Sequence, residues 1–302
     1  MIRRSRGVAA VTAILIVAVA ASAAALMLAQ QSAMVDQAFL ISSRAQADQF
    51  ARAGIDWARG VLQQDSRNVD SLDEGWAKPI AALPVERALV SGAIGDEQGK
   101  FNLNNLVRGG AASAKDIRIF EALLAAQGLP AELSQAVRDW IDADSDLSGP
   151  GGAEDPYYLS LARPYRAANA PMAQVEELYR VRGFDAAAVA KLRPFVTALP
   201  TETDINVNTA SEALLRAAIP VAPNGLLEKF LRERTAKPAT SKADFWQRLQ
   251  LSDRDNAPVD VKSRFFVVRV QVAQDEVELA SEALVNRDDS GKTAIVWMRP
   301  RY

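Results

Sequence analysis

The 302-residue chain is 49% hydrophobic and carries 35 Lys and Arg against 37 Asp and Glu, a net charge of −2 that gives no overall basic footprint for nucleic acid. It contains neither cysteine nor histidine, which removes disulfides, thiolate nucleophiles, Ser-His-Asp triads and nearly every zinc or haem site. The composition suits a packed fold with protein partners, and the remaining residue types form no constellation of the kind an active site needs, so the chain reads as a non-enzyme.

Arg3, Arg4 and Arg6 precede an uncharged run from Val8 to Ala29, twenty-two residues without Gly or Pro. That length crosses a bilayer as one helix. The arginines on one flank, with Asp36 the first charge on the other, orient the N-terminus to the cytoplasm. A secretory signal peptide shares these features, since Ala21-Ser22-Ala23 and Ala23-Ala24-Ala25 are small-x-small sites, and so does a plain uncleaved anchor. The absence of Gly and Pro from Val8 to Ala53 predicts instead one helix running on to about Gln64, roughly 85 Å at 1.5 Å per residue. Val35, Phe39, Phe50, Trp57 and Val61 recur at helical spacing and are expected to form the face that packs on a domain.

Asn68 to Pro84 is rich in Asp, Gly and Pro and reads as an ordered connection. Ala88 to Leu106 reads as a hairpin, with Leu89, Val90 and Ile94 in one arm, Asp96-Glu97-Gln98-Gly99 as the turn, and Phe101, Leu103 and Leu106 beyond it. Pro and Gly then punctuate a helical block, with helices expected over 114–127, 131–141, 173–181, 186–192, 210–218, 226–234 and 242–249. Strands return at 265–273, 276–285 and 293–298. The fold class is α+β: a long N-terminal helix packed on an antiparallel sheet, with a large helical domain inserted.

Asp139, Asp142, Asp144, Asp146, Glu154 and Asp155 put six acids into seventeen residues with no base among them. Such carboxylates raise their pKa values, stay splayed in water, or share a cation. Trp140, Ile141, Tyr157, Tyr158 and Leu161 flank the acids and would anchor both ends, which favours the cation. An all-oxygen donor set selects calcium over zinc or copper, and a flexible one selects it over magnesium. Leu147 and Ala153 stand where an EF-hand needs its Gly and its bidentate Glu, so this is not an EF-hand.

Ser5-Arg6-Gly7 followed by Val8 and an unbroken apolar helix resembles the leader of type IV pilin-like proteins, in which a prepilin peptidase cuts after the glycine. The resemblance makes Gly7 the end of the leader and Val8 the mature, methylated terminus. Most such proteins carry Glu five residues after the cut, whereas this chain has Thr12, a departure shared by the minor pseudopilin K family of type II secretion systems. The resemblance to that family continues in order through Gly95–Asn104, Asp139–Asp144, Gly152–Tyr158 and Ile205–Ala210.

The resemblance implies a leader at 1–7, a transmembrane helix at 8–30, a pilin-like helix and first strands at 31–112, an inserted helical domain at 113–251 and closing strands at 252–302. It also implies a single-pass protein of the inner membrane with its globular part in the periplasm of a Gram-negative-type bacterium. There it would cap the tip of a pseudopilus and help start its assembly. The implied partners are other minor pseudopilins, the major pseudopilin, the inner-membrane assembly platform and the prepilin peptidase. The family binds calcium in its helical domain, and the resemblance carries the ligand role to Asp142, Asp144, Glu154 and Asp155, with Asp139, Asp146 and Asn169 as further candidates.

A rival class is a membrane-anchored DNA-uptake protein, because Glu177–Asp185 and Ile205–Ala210 also resemble helix-hairpin-helix segments. In those, a Gly-x-Gly turn presents backbone N–H groups to phosphate, and Asp185 replaces the second glycine here. From Pro171 to Gln250, 11 Lys and Arg face 9 Asp and Glu, too even a balance to drive backbone binding.

Overall fold

The computed structural model describes residues 5–252 and 257–301; the expected leader residues Met1–Arg4 lie outside the described residues. Ser5–Gln64 is one helix, α1. Every residue from Val8 to Ser42 is exposed, contact with the head beginning where Arg87 lies 5.7 Å over the Phe39 ring, and the apolar part is long enough to cross a membrane.

From Ser43 onward α1 packs on a sheet through Ser43, Ala47, Ala51, Ile55, Ala58 and Leu62, a stripe repeating every three or four residues. The face expected from the sequence is a different one. Val35, Phe39 and Trp57 are exposed, and Phe50 and Val61 are only half-buried. Close approach contributes: a Cβ on Gly54 would lie 3.0 Å from Val270 Cγ1, and four of the six stripe positions are Ser or Ala, with Ile55 and Leu62 the large residues buried there.

Strands β1 (Ile80–Val85) and β2 (Ala88–Asp96) follow. They form a hairpin in which Val85 pairs with Ala88 across a two-residue turn and Glu86 takes a φ of 51°. The connection expected over 68–84 therefore already contains a strand.

A block of short elements comes next. It holds β3 (Phe101–Asn102), β4 (Val107–Arg108), β5 (Ala111–Ala112), α2 (Ala114–Ala126), α3 (Leu133–Ile141) and α4 (Asp155–Leu159). A 3-10 helix at Val175–Arg180 stands where an α-helix was expected over 173–181. The block continues with α5 (Ala186–Leu192), β6 (Val196–Thr197), β7 (Ile205–Asn206), α6 (Glu212–Ala218), α7 (Asn224–Glu233), α8 (Lys242–Arg248) and β8 (Val259–Asp260). The chain then returns through β9 (Phe265–Gln274), β10 (Val277–Arg287) and β11 (Thr293–Pro300).

The five-stranded antiparallel sheet has the order β1-β2-β9-β10-β11. The hairpin expected over Ala88–Leu106 does not form, because β2 pairs with β1 and β9 while β3 pairs in parallel with β6. Asp96 explains why. Its carboxylate accepts bonds from Thr209 Oγ1 (2.6 Å), Ser263 Oγ (2.7 Å), Asn206 Nδ2 (2.9 Å) and Gln98 N (2.8 Å). Those four donors draw the segment into the interior, where burial pushes the carboxyl above its usual range.

Two large apolar cores result, one between α1 and the sheet and one inside the helical block around Phe101, Phe120 and Phe245, and a smaller cluster joins Leu199 to Phe265 and Leu284 of the sheet. The sheet is anchored at both ends of the head portion of α1. Ser43 donates to Asp275, just after β9, at 2.8 Å, and Arg287, ending β10, bonds Asp65 at 3.0 Å. The block leaves the sheet at Asp96 and re-enters at Phe265, neighbours on the Asp65 side, so it sits at the end of the head far from the apolar span.

Candidate functional site

The acidic loop runs from the last turn of α3 to the first of α4. Asp139, on the buried face of α3, is fully buried; its Oδ1 accepts from Ser148 N at 2.9 Å and its Oδ2 has no partner. Glu154, immediately before α4, is 2% exposed, and neither carboxylate oxygen is bonded. Asp142 Oδ1 and Asn169 Oδ1 are likewise buried without partners. Asn169 sits at a φ of 44°, with its Nδ2 donating to the Asp144 carbonyl at 3.0 Å.

Five unbonded buried oxygens from four side chains in one loop region are costly unless a cation takes them. Burial pushes Glu154 up to about 7, helped by Asp139, Asp142, Asp144 and Asp155. Burial, then Asp144 and Asp139, push Asp142 up to about 6, and burial also raises Asp139. Such shifts are what mutually repelling carboxylates undergo when no positive charge sits among them. Donors of oxygen alone would suit a hard divalent ion, although Asp139, Asp142 and Glu154 are not among the acids whose ligand atoms lie within 4.8 Å of one another.

The other expected ligands are placed differently. Asp155 is engaged elsewhere, accepting from Ala167 N at 3.0 Å and pairing with Arg166 at 3.0 Å. Asp144 is exposed, and its Oδ1 accepts from Asp146 N at 2.8 Å; Asp146 is exposed as well. The expected aromatic anchors pack as a group, Trp140 meeting Tyr158 edge-on at 5.3 Å and Tyr157 meeting Tyr158 at 5.2 Å, and Tyr165, not foreseen, joins them 5.3 Å from Tyr158.

Two residues that sequence reasoning missed complete the loop. A Cβ on Gly152 would collide with Asp139 Oδ2, so only glycine lets the carboxylate lie there. Arg182 Nη1 donates to the Gly152 carbonyl at 2.7 Å while its guanidinium stacks 4.9 Å over Tyr157. The paired glycines Gly151-Gly152 between acids were the only local signal.

A second acid cluster, Asp65, Asp70 and Glu74, has ligand atoms within 4.8 Å of one another. It already holds a cation, because the Arg287 guanidinium bonds Asp65 at 3.0 Å and Asp70 at 2.5 Å. At the segment resembling a helix-hairpin-helix, Asp185 caps α5 by accepting from Ala188 N at 2.7 Å, filling the helix end that a phosphate would use.

Residues 99–201 and 205–267 match two family profiles, both described as type II secretion system (T2SS), protein K. A Pseudomonas aeruginosa protein named type II secretion system protein K is 35% identical over 98% of this chain and 93% of its own length. A Klebsiella pneumoniae protein of the same name is 31% identical over 100% of this chain and 98% of its own. In the crystal structure of the GspK-GspI-GspJ complex of the enterotoxigenic Escherichia coli type 2 secretion system, one chain superposes with a TM-score of 0.76 at 25% identity, covering 85% of this chain and 96% of that one.

Proposed function

The chain belongs to the type II secretion system protein K family, whose members are structural minor pseudopilins, and from that premise we propose that it caps the tip of the pseudopilus and helps start its assembly. Thr12 carries the proposal. In pilin-like fibres the glutamate usual at this position neutralises the terminal amine of the subunit above, inside an apolar bundle where an unpaired charge is expensive. Thr12 has no charge to offer, and its hydroxyl is already spent on the Val8 and Ala9 carbonyls, each at 3.0 Å. A subunit above it would bury an unpaired amine, whereas its own amine can pair with the glutamate of a subunit below.

The helical block supports the same reading. It sits at the end of the head far from the apolar span, where a further subunit would have to stack. A prepilin peptidase cuts after Gly7, the apolar helix lies in the inner membrane, and the head faces the periplasm. The partners are small pseudopilins of the kind found with the GspK chain in the solved complex, then the major pseudopilin and the assembly platform.

Asp139, Asp142, Glu154 and Asn169 hold a calcium ion that offsets most of the charge of these carboxylates and fixes the loop for contact with neighbours. The ion supplies charge, not chemistry. Co-expression with the other minor pseudopilins tests the function: the chain purifies with them in a defined complex, and its recovery alone, or with nucleic acid, would refute the reading.

A further inference from the structure

The segment following Asn169 is held at two ends by different parts of the molecule. On the loop side, Trp140 Nε1 donates to Glu177 at 3.4 Å, Tyr165 OH donates to the Arg180 carbonyl at 2.7 Å, and Arg182 N donates to Tyr158 OH at 3.3 Å. Arg182 also reaches back to Gly152, which lies against Asp139. On the sheet side, Arg299 of β11 donates to Gln174 Oε1 at 2.5 Å and lies 3.6 Å from Glu176. Arg299 is itself held by Glu282 at 2.7 Å and stacks 4.6 Å over Trp297. A cleft of about 880 Å³ separates the start of this segment, Ala173–Glu176, from the sheet, and the bonds to Arg299 bridge it.

We propose that the acidic loop is coupled to the sheet edge, so that calcium in the loop tightens the Arg299 bridge across the cleft and sets how the helical block is held against β11. The inference rests on the calcium reading above and adds to it a consequence at a distance. The connecting element is a 3-10 helix of six residues, seated in the core of the helical block by the fully buried Leu178, so a shift at one of its ends is passed to the other. Asn169, whose buried Oδ1 has no partner, begins the strap, and Glu177 in its middle accepts from Ala173 N at 2.7 Å as well as from Trp140. An ion that draws in Asn169 and fixes Trp140 therefore orders Gln174 and Glu176, the two residues that Arg299 meets.

Coupling is reciprocal: if calcium strengthens the bridge, the bridge strengthens calcium binding. The full chain in detergent micelles is followed by hydrogen–deuterium exchange with calcium chloride and with a chelator. Calcium affinity is measured by titration calorimetry for the wild type, Arg299→Ala and Glu176→Gln, two changes on opposite sides of one contact. Chelation is expected to speed exchange in Thr293–Pro300 as well as in the acidic loop, and each variant to lose about five-fold or more in calcium affinity. Arg52→Ala, which breaks an exposed ion pair on α1, leaves the affinity unchanged. A wild type that binds no calcium overturns the ion reading and the coupling with it. Calcium binding with unchanged affinity in both bridge variants, or exchange in Thr293–Pro300 that ignores the chelator, overturns the coupling alone.

Discussion

Glu154→Gln is expected to stabilise the calcium-free protein and to abolish the stability that calcium adds. Glu154 is almost fully buried with both oxygens unbonded, and its pKa stands near 7 against an ordinary 4.5. A folded-state pKa raised in this way contributes stability that is fully present below the unfolded value and is lost as pH rises through the folded one. At pH 8 the ionised side chain therefore destabilises the calcium-free form, and 1.36 kcal/mol per unit puts a ceiling of about 3 kcal/mol on the effect. Glutamine removes the charge but needs bonds of its own, so a gain of roughly 1–2 kcal/mol, a few degrees in Tm, is expected. Calcium adds about 2.7 kcal/mol to the wild type at a hundredfold excess over Kd, and this increment shrinks from pH 8 to pH 5 as protons compete for Glu154 and Asp142. Tryptophan-fluorescence melts at pH 5 and pH 8, with calcium and with chelator, measure all four states. A wild-type Tm at pH 8 that ignores chelation, or a Glu154→Gln protein that keeps the calcium increment, would refute the reasoning.

Gly152→Ala pushes Asp139 Oδ2 out of place and is expected to weaken calcium binding at least ten-fold with little change in far-UV circular dichroism; calorimetry checks it. Leu62→Ala, at a fully buried position on α1, costs about 2–5 kcal/mol in denaturant unfolding, whereas Trp57→Ala, at a position 56% exposed, costs well under 1. The reverse order would restore the helix face expected from sequence. Mass spectrometry of the membrane-bound protein is expected to find Val8 as the mature terminus, and an intact leader or a start near Ala24 would contradict the processing site.

The long helix and most of the helical block were legible because their signals are local. Ala186–Leu192 lies between an Asp cap and a Pro, and the apolar run before Asp36 allows no break. What failed depended on partners distant in sequence. Asp96–Gly99 has the composition of a turn, yet Thr209, Ser263 and Asn206 bury its first residue. The packing face of α1 was misread because alanines are weak apolar markers, so Ala47, Ala51 and Ala58 did not link Ile55 and Leu62 into one stripe. Helix α4 escaped notice at five residues. The acids themselves were plain in sequence. Which of them point inward was not, since Asp139 and Glu154 are selected by the pitch of α3 and the start of α4, and Asp155, one residue on, faces Arg166.

The place of the subunit in the fibre tests the account most directly. The chain has no cysteine, so a single Ala162→Cys at an exposed position of the helical block gives it a unique label. Assembled pseudopili reacted with a maleimide-gold probe and viewed by electron microscopy should carry one label at one end only, and labels repeated along the shaft would contradict the cap.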